Sequence, residues 1–287
     1  LHVKEKQVEL LDGTRVEYDK LLIATGANSF IPPVGNLREA KNVFGLRHLS
    51  DAQAIDQSAK EAENIVIIGS GLVGLDAAYG LMETGKNVSI VEMADRILPV
   101  QLDKTAAKEY QKRFESAGAK FYLGRKAAET KMDENGKITT VILDNGEELK
   151  SDLIIVAAGV RSATAGFETE EIIVDRGMKV DEFMQTGAKD VYAAGDVTGL
   201  SGIWPNAQKQ GETAALNMMG GRVPYTDRFA AKNTINFFGL NSLCVGEIVP
   251  KETDVVIARE DASNYKRVII RDGKVAGVLL QGADRKS

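Results

Sequence analysis

Between Asn64 and Ala94 the chain reads NIVIIGSGLVGLDAAYGLMETGKNVSIVEMA. A short apolar run leads into a glycine-rich turn, apolar positions then recur at helical spacing up to Gly85, and a second apolar run follows. That pattern predicts a β-α-β unit with a tight first connection. DKTAAKEYQKRFESAGAKFYLG repeats the idea, with Asp103 as N-cap, Gly118 ending the helix and a strand after it. Residues 48–62 have helical composition, whereas residues 1–34 predict short strands and a turn closed by Pro32 and Pro33. Over residues 128–160 the period changes, and KITTVILDNGEELKSDLIIVAAGV predicts three strands joined by short turns, one at Asn145-Gly146. Residues 171–197 again predict short strands, ending in DVYAAGDVTG, and a helix is expected from about Asn206 to Met219, introduced by Pro205. After Pro224 only strands and hairpins are predicted, including a turn from Arg271 to Lys274 and a last strand, KVAGVLLQG, that stops near the C-terminus.

One stretch occurs twice. LDGTRVEYDKLLIATGA at residues 11–27 matches DNGEELKSDLIIVAAGV at residues 144–160 without a gap, so that Gly13 answers to Gly146, Asp19 to Asp152, Ala24 to Ala157 and Gly26 to Gly159. Each copy is a turn, a strand, and an apolar strand that ends on a glycine.

Composition narrows the class. A chain of 287 residues, 44% hydrophobic, can bury one or two substantial cores. Its formal net charge is −5 with acidic and basic residues mixed along the chain, which gives no footprint for nucleic acid or an anionic membrane surface. No apolar run approaches the roughly 18 residues of a spanning helix, and no signal-peptide pattern opens the chain; a cytoplasmic protein is the expectation. The single cysteine, Cys244, excludes an internal disulfide or a Cys-x-x-Cys pair and is read as a small apolar residue of a strand. His2 and His48 are read as surface or structural residues, so no metal site is expected. The chain opens on Leu1, from which processing or truncation is expected.

The chemistry gathers at Gly69-Ser70-Gly71-Leu72-Val73-Gly74. A glycine loop that leaves a buried strand and opens a helix can turn backbone N–H groups toward a pyrophosphate with no side chain in the way. Glu92, at the end of the next strand, is placed to accept hydrogen bonds from both ribose hydroxyls of an adenosine. Like-charge repulsion between this carboxylate and a 2′-phosphate favours NADH over NADPH, an inference weakened by Arg96, whose guanidinium could neutralise a phosphate or simply be solvated. Gly159, with Ala158 before it, ends a strand that returns to the same sheet and lets the backbone pass beside the dinucleotide. The first copy, Ala24-Thr25-Gly26, should serve a second dinucleotide fold whose glycine loop lies upstream, and counting back from Gly26 as far as Gly159 lies from Gly69 runs off the start of the chain.

With LLIATGA, IGSGLVGLDAA, VYAAGDVTG and WPNAQKQGETAALNM in that order, the sequence resembles the FAD-dependent pyridine nucleotide-disulfide oxidoreductases, closest to NADH oxidases, NADH–rubredoxin reductases and the flavoprotein part of nitrite reductase. The resemblance covers nearly the whole chain and implies an α/β fold of two nested Rossmann-like domains, for FAD and NAD(P), with a truncated α+β C-terminal interface domain. It would divide the chain into FAD-domain pieces at 1–40 and 166–222, an inserted NAD(H) domain at 41–165, and an interface domain at 223–287 through which a homodimer of the intact protein would form. Relatives carry an FAD glycine loop before the point where this sequence starts and an interface domain extending past its end. The stretch therefore resembles a fragment, and retention of FAD by this part alone stays open.

Further roles follow from the resemblance. Asp196, after Gly195, would bind the ribityl chain of FAD, and Asn206 and Ala207 would begin a helix whose N–H groups point at the flavin N1 and O2 edge. Trp204 is read either as a shield for that edge or as a core residue. Asp76 stands where most relatives have glutamate beside the nicotinamide, and its shorter side chain leaves its reach open. The implied activity is hydride transfer from NADH to flavin, with electrons passed on to oxygen, a disulfide, rubredoxin, a nitrite-reducing centre or another acceptor protein. Two other readings stay open: an NAD-binding module without flavin, and a flavoprotein kept for binding partners.

Overall fold

The computed structural model describes residues 1–226, 231–261 and 264–282. The chain forms two compact units, one from Leu1–Asn28 with Val160–Phe229 and the other from Ser29–Gly159 with Ala230–Ser287.

The second unit is built on a five-stranded parallel sheet in the order Val43–Gly45, Leu153–Val156, Asn64–Ile68, Asn87–Glu92, Lys120–Leu123. Its central strands are nearly continuous apolar runs because both faces are covered, as parallel sheets require; Ile65, Val66, Ile67 and Leu153–Val156 are all buried. On one face lie the helices Leu49–Ala59, Leu72–Glu83 and Lys104–Ser116, which present Ile55, Leu75, Ala78, Tyr110 and Phe114 to the sheet. On the other face Val66, Val91, Ile154 and Val156 meet Val141, Leu143 and Leu37, beneath the antiparallel strands Ala127–Met132, Ile138–Leu143 and Glu148–Lys150. The helix boundaries agree with the local signals. Asp103 caps its helix by accepting a hydrogen bond from Ala106 N at 3.0 Å, and Gly85 and Gly118 follow their helices with φ of 77° and 103°. Strand Ala127–Met132 adds an element to the three expected in this stretch.

The tail is a five-stranded antiparallel sheet, ordered Lys232–Phe237, Leu240–Gly246, Lys274–Gly282, Asn264–Arg271, Val255–Glu260. It shares a core with the parallel sheet's helices. The Tyr110 hydroxyl lies 3.0 Å from Ile235 O and 2.9 Å from Leu240 O, and Gln281 Nε2 donates to Ala106 O at 3.0 Å. Asp103 Oδ2 accepts from Tyr265 OH at 2.6 Å and from Arg267 Nη1 at 3.0 Å, so one carboxylate both caps a helix and anchors the sheet laid against it. The Phe114 ring meets Phe237 and Phe238 edge-on at 5.2 and 5.0 Å between centroids. Cys244 lies buried in Leu240–Gly246, where burial pushes its thiol pKa up.

In the first unit the hairpin Gln7–Glu9/Arg15–Glu17 precedes Leu21–Ile23, which pairs in parallel with Val191–Ala193. Ile23, Ile172, Met178, Val191, Ala193 and Val197 form its core. The helix expected from Asn206 runs instead from Trp204 to Met218, because Ile203 is the N-cap and Pro205 sits inside the first turn, where its missing N–H costs no bond.

The sequence repeat is a structural one. Thr140 pairs with Lys150 and Gln7 with Glu17, and φ is 83° at both Gly13 and Gly146. Leu143 N donates to Glu147 O and Leu10 N to Thr14 O, while Ile154 N donates to Asn42 O and Leu21 N to Asp190 O. The copies differ on one side: Leu153–Val156 has strands on both flanks, whereas Leu21–Ile23 pairs with one strand among the described residues.

Candidate functional site

Each unit carries a cluster of the expected site residues. In the second unit, strand Asn64–Ile68 passes through Gly69 and Ser70 into the helix that starts at Leu72, with Gly71 as its N-cap. The three glycines have different reasons. Gly69 has φ +108°, and a Cβ there would lie 2.4 Å from Ala157 O; a Cβ on Gly74 would lie 2.1 Å from Gly69 O, so helix and strand approach as closely as they do only without side chains. A Cβ on Gly71 would meet nothing within 4 Å, which leaves the helix N-terminus open to a ligand. Leu72 and Val73 contribute the first helical N–H positions, which have no partner within the helix and favour an anion. Ala158 and Gly159, at the end of Leu153–Val156, are exposed. This donor set and its clearance fit a dinucleotide pyrophosphate.

Glu92 ends the neighbouring strand and is tied to the loop. Its Oε2 accepts from Ser70 N at 2.9 Å and from Ser70 Oγ at 2.8 Å, and its Oε1 from Ala94 N at 2.8 Å. Ser70 is fully buried, and its carbonyl accepts from Leu98 N at 3.0 Å. Arg96 belongs to the same construction: Nε donates to Leu102 O, Nη2 to Pro99 O and Nη1 to Asp95 Oδ1, each at 3.0 Å. Its guanidinium is thus a brace across residues 95–102. Asp76 lies on the helix Leu72–Glu83 along a groove of about 400 Å³ beside Leu46, Ile55, Ala59 and Leu81. Partial burial there raises its carboxyl pKa.

In the first unit, the strand Leu21–Ile23 ends at Ala24 and Thr25, both exposed, followed by Gly26 at φ +72°. Thr25 Oγ1 donates to Ala163 O at 2.6 Å, and Gly26 O accepts from Ala163 N. Gly195 and Asp196 open the short 3-10 turn Gly195–Thr198, with φ +80° at Gly195. Ser162 Oγ donates to Asp196 O at 2.8 Å. Asn206 is buried and its Nδ2 donates to Ser201 Oγ. Ala207 N–H already donates to Ile203 O at 3.1 Å, a consequence of the earlier helix start, so it is not one of the open groups that the sequence suggested. Trp204 is 86% exposed, which rules out the core reading.

Gln210 escaped the sequence reading. It is fully buried; its Oε1 accepts from Gly195 N at 2.8 Å and Thr198 Oγ1 at 3.2 Å, holding the turn that carries Asp196, while Nε2 has no hydrogen-bond partner. A buried donor left over beside a built turn calls for a ligand or water. That spare donor and the positive-φ turn fit a bound cofactor on this unit. The one available signal was position: Gln210 lies on the inward face of the helix, four residues after Asn206.

The sequence profile of the pyridine nucleotide-disulphide oxidoreductases matches residues 1–211. The epsilon subunit of NADH-dependent phenylglyoxylate dehydrogenase from Aromatoleum evansii is 33% identical over 294 residues, covering 97% of this chain and 69% of its own length. The assimilatory nitrate reductase electron transfer subunit of Bacillus subtilis is 32% identical, covering 98% of this chain and 37% of its own. Among solved structures, an FAD-dependent pyridine nucleotide-disulphide oxidoreductase from Desulfovibrio vulgaris superposes with a TM-score of 0.83 at 26% identity over 99% of this chain and 77% of that one. A ferredoxin reductase from Rhodopseudomonas palustris gives a TM-score of 0.86 at 23% identity, with 98% and 71% covered, and shares the fold.

Proposed function

Because the chain belongs to the pyridine nucleotide-disulphide oxidoreductase family, we propose that it is the nucleotide-binding part of an NADH-dependent flavoprotein that passes electrons to a separate acceptor. The observation that carries the NADH half is the Gly69–Gly74 loop with Glu92 bonded to its Ser70. When bound, NADH supplies hydride to the flavin and the flavin passes electrons on. The chain's own residues bind and orient. The helix start at Leu72 faces the pyrophosphate, Glu92 the adenosine ribose, and the Gly195–Asp196 turn, held by Gln210, the ribityl chain of FAD.

NADH is favoured over NADPH. A 2′-phosphate would face the Glu92 carboxylate, and the nearby cation, Arg96, is committed to three oxygens of its own loop. Relatives that include an assimilatory nitrate reductase electron transfer subunit and a ferredoxin–NAD(+) reductase component support a protein acceptor as the class of oxidant. The test is anaerobic mixing of the FAD-loaded protein with each nucleotide. NADH should bleach the flavin's visible absorption at a lower half-saturating concentration than NADPH, and absence of bleaching with either would refute the assignment.

A further inference from the structure

Glu92 can accept fewer hydrogen bonds from a ligand than its position suggests. An ionised carboxylate offers about four acceptor positions. Both of those on Oε2 are taken by Ser70, through N–H at 2.9 Å and O–H at 2.8 Å, and one on Oε1 is taken by Ala94 N–H at 2.8 Å. The two backbone donors, one to each oxygen, already fix the plane of the carboxylate. The Ser70 hydroxyl adds nothing to that orientation; it consumes an acceptor. Ser70 has no solvent access through which its hydroxyl could find water instead, and its carbonyl is held by Leu98 N.

We propose that Ser70 is a specificity-determining residue: its hydroxyl leaves Glu92 a single open acceptor, on Oε1, so that the adenosine ribose is held through one hydroxyl and not through both. The inference rests on the NADH reading above. It makes rejection of a 2′-phosphate a matter of charge at Glu92 rather than of a double hydroxyl clamp. It also makes Ser70 the position that sets how many ribose hydroxyls the site counts.

Calorimetric titration of the protein with NADH and with its analogues lacking the adenosine 2′- or 3′-hydroxyl tests this. One analogue should bind within about twofold of NADH and the other about tenfold more weakly, the loss of one hydrogen bond to a charged acceptor. In Ser70→Ala, which keeps the backbone bonds of residue 70, an acceptor is returned and the spared analogue should weaken by about threefold or more relative to NADH. Two analogues equally weakened in the unaltered protein would mean a double clamp and overturn the proposal, as would two analogues that bind like NADH. An unchanged analogue ratio in Ser70→Ala would remove Ser70 from the role. Failure of NADH itself to bind would remove the functional reading and this inference together, whereas tight NADH beside two weak analogues removes only the inference.

Discussion

Replacing Asp103 tests whether the tail sheet and the nucleotide fold share one cooperative core. Its carboxylate makes three bonds: Oδ1 to Ala106 N at 3.0 Å, and Oδ2 to Tyr265 OH at 2.6 Å and Arg267 Nη1 at 3.0 Å. Losing the cap costs about 1 kcal/mol. Breaking a buried ion pair costs about 3–5 kcal/mol when its partner is stranded, but Arg267 keeps a bond to Ile248 O and the pair is 12% and 16% exposed, so about 2–3 kcal/mol is the better figure here. Asp103→Ala should therefore cost about 3–4 kcal/mol, and Asp103→Asn, which retains an oxygen for Ala106, about 1 kcal/mol less. Amide hydrogen exchange reads this locally. Helix Lys104–Ser116 and strand Asn264–Arg271 should both exchange several hundredfold faster in Asp103→Ala, because about 1.4 kcal/mol is a factor of ten. If the helix loosened while the strand kept its protection, the single shared core would be wrong.

Alkaline pH should unfold the same unit. Burial pushes the pKa of both Tyr110 and Tyr265 up to about 12, with the Asp103 hydrogen bond adding to the rise at Tyr265. A phenol raised above its unfolded value of about 10 contributes stability that is complete below that pH and lost as pH rises through the folded value. Chemical denaturation midpoints should therefore fall between about pH 10 and 12 in the parent protein and fall less in a Tyr110→Phe, Tyr265→Phe variant; parallel curves would contradict this. Glu92→Gln keeps an acceptor but removes the charge, so it should raise NADH half-saturation about tenfold and shrink the preference over NADPH; a preference left intact would place discrimination elsewhere. Gln210→Leu should strip the Gly195 N–H of its acceptor and weaken FAD binding about tenfold or more, as measured by flavin fluorescence on titration, without shifting NADH affinity.

The sequence carried the local part of this structure. Apolar runs, glycine punctuation and the Asp103 cap are decided within a few residues, and so the β-α-β units, the Gly69–Gly74 loop and the hairpin turns were legible. The Trp204 start was misjudged by two residues because a proline fits the first turn at more than one position. What the sequence hid is long-range. Nothing near Tyr110 or Gln281 says that they meet Ile235 or Ala106, and nothing near Arg96 says that its charge is spent on carbonyls within its own loop. Glu92 was visible as a carboxylate at the end of its strand; that Ser70 fills both positions of its Oε2 was not.

The internal repeat supplies a control that few proteins offer, the same local structure in two settings. Ile154 N donates to Asn42 O and Leu21 N to Asp190 O, each toward its shared flank. Successive N–H groups of a strand point to opposite sides, so Ile155 N–H faces strand Asn64–Ile68 while Leu22 N–H faces the flank on which no described strand pairs. Asp152 shows what that neighbour contributes: its Oδ2 accepts from Glu63 N, Asn64 N and Asn64 Nδ2, whereas at the matching Asp19 the backbone carbonyl receives Lys6 Nζ. Amide exchange should then be slowest at Ile155, which opens only with its whole unit, and faster at Leu22 by a factor of about a thousand, the gap between global and edge opening. Comparable protection at the two positions would show that pairing on that flank does not govern the stability of these strands, and the glycine-ended strand of the first unit would have to be held by its hairpin and by Val191–Ala193 alone.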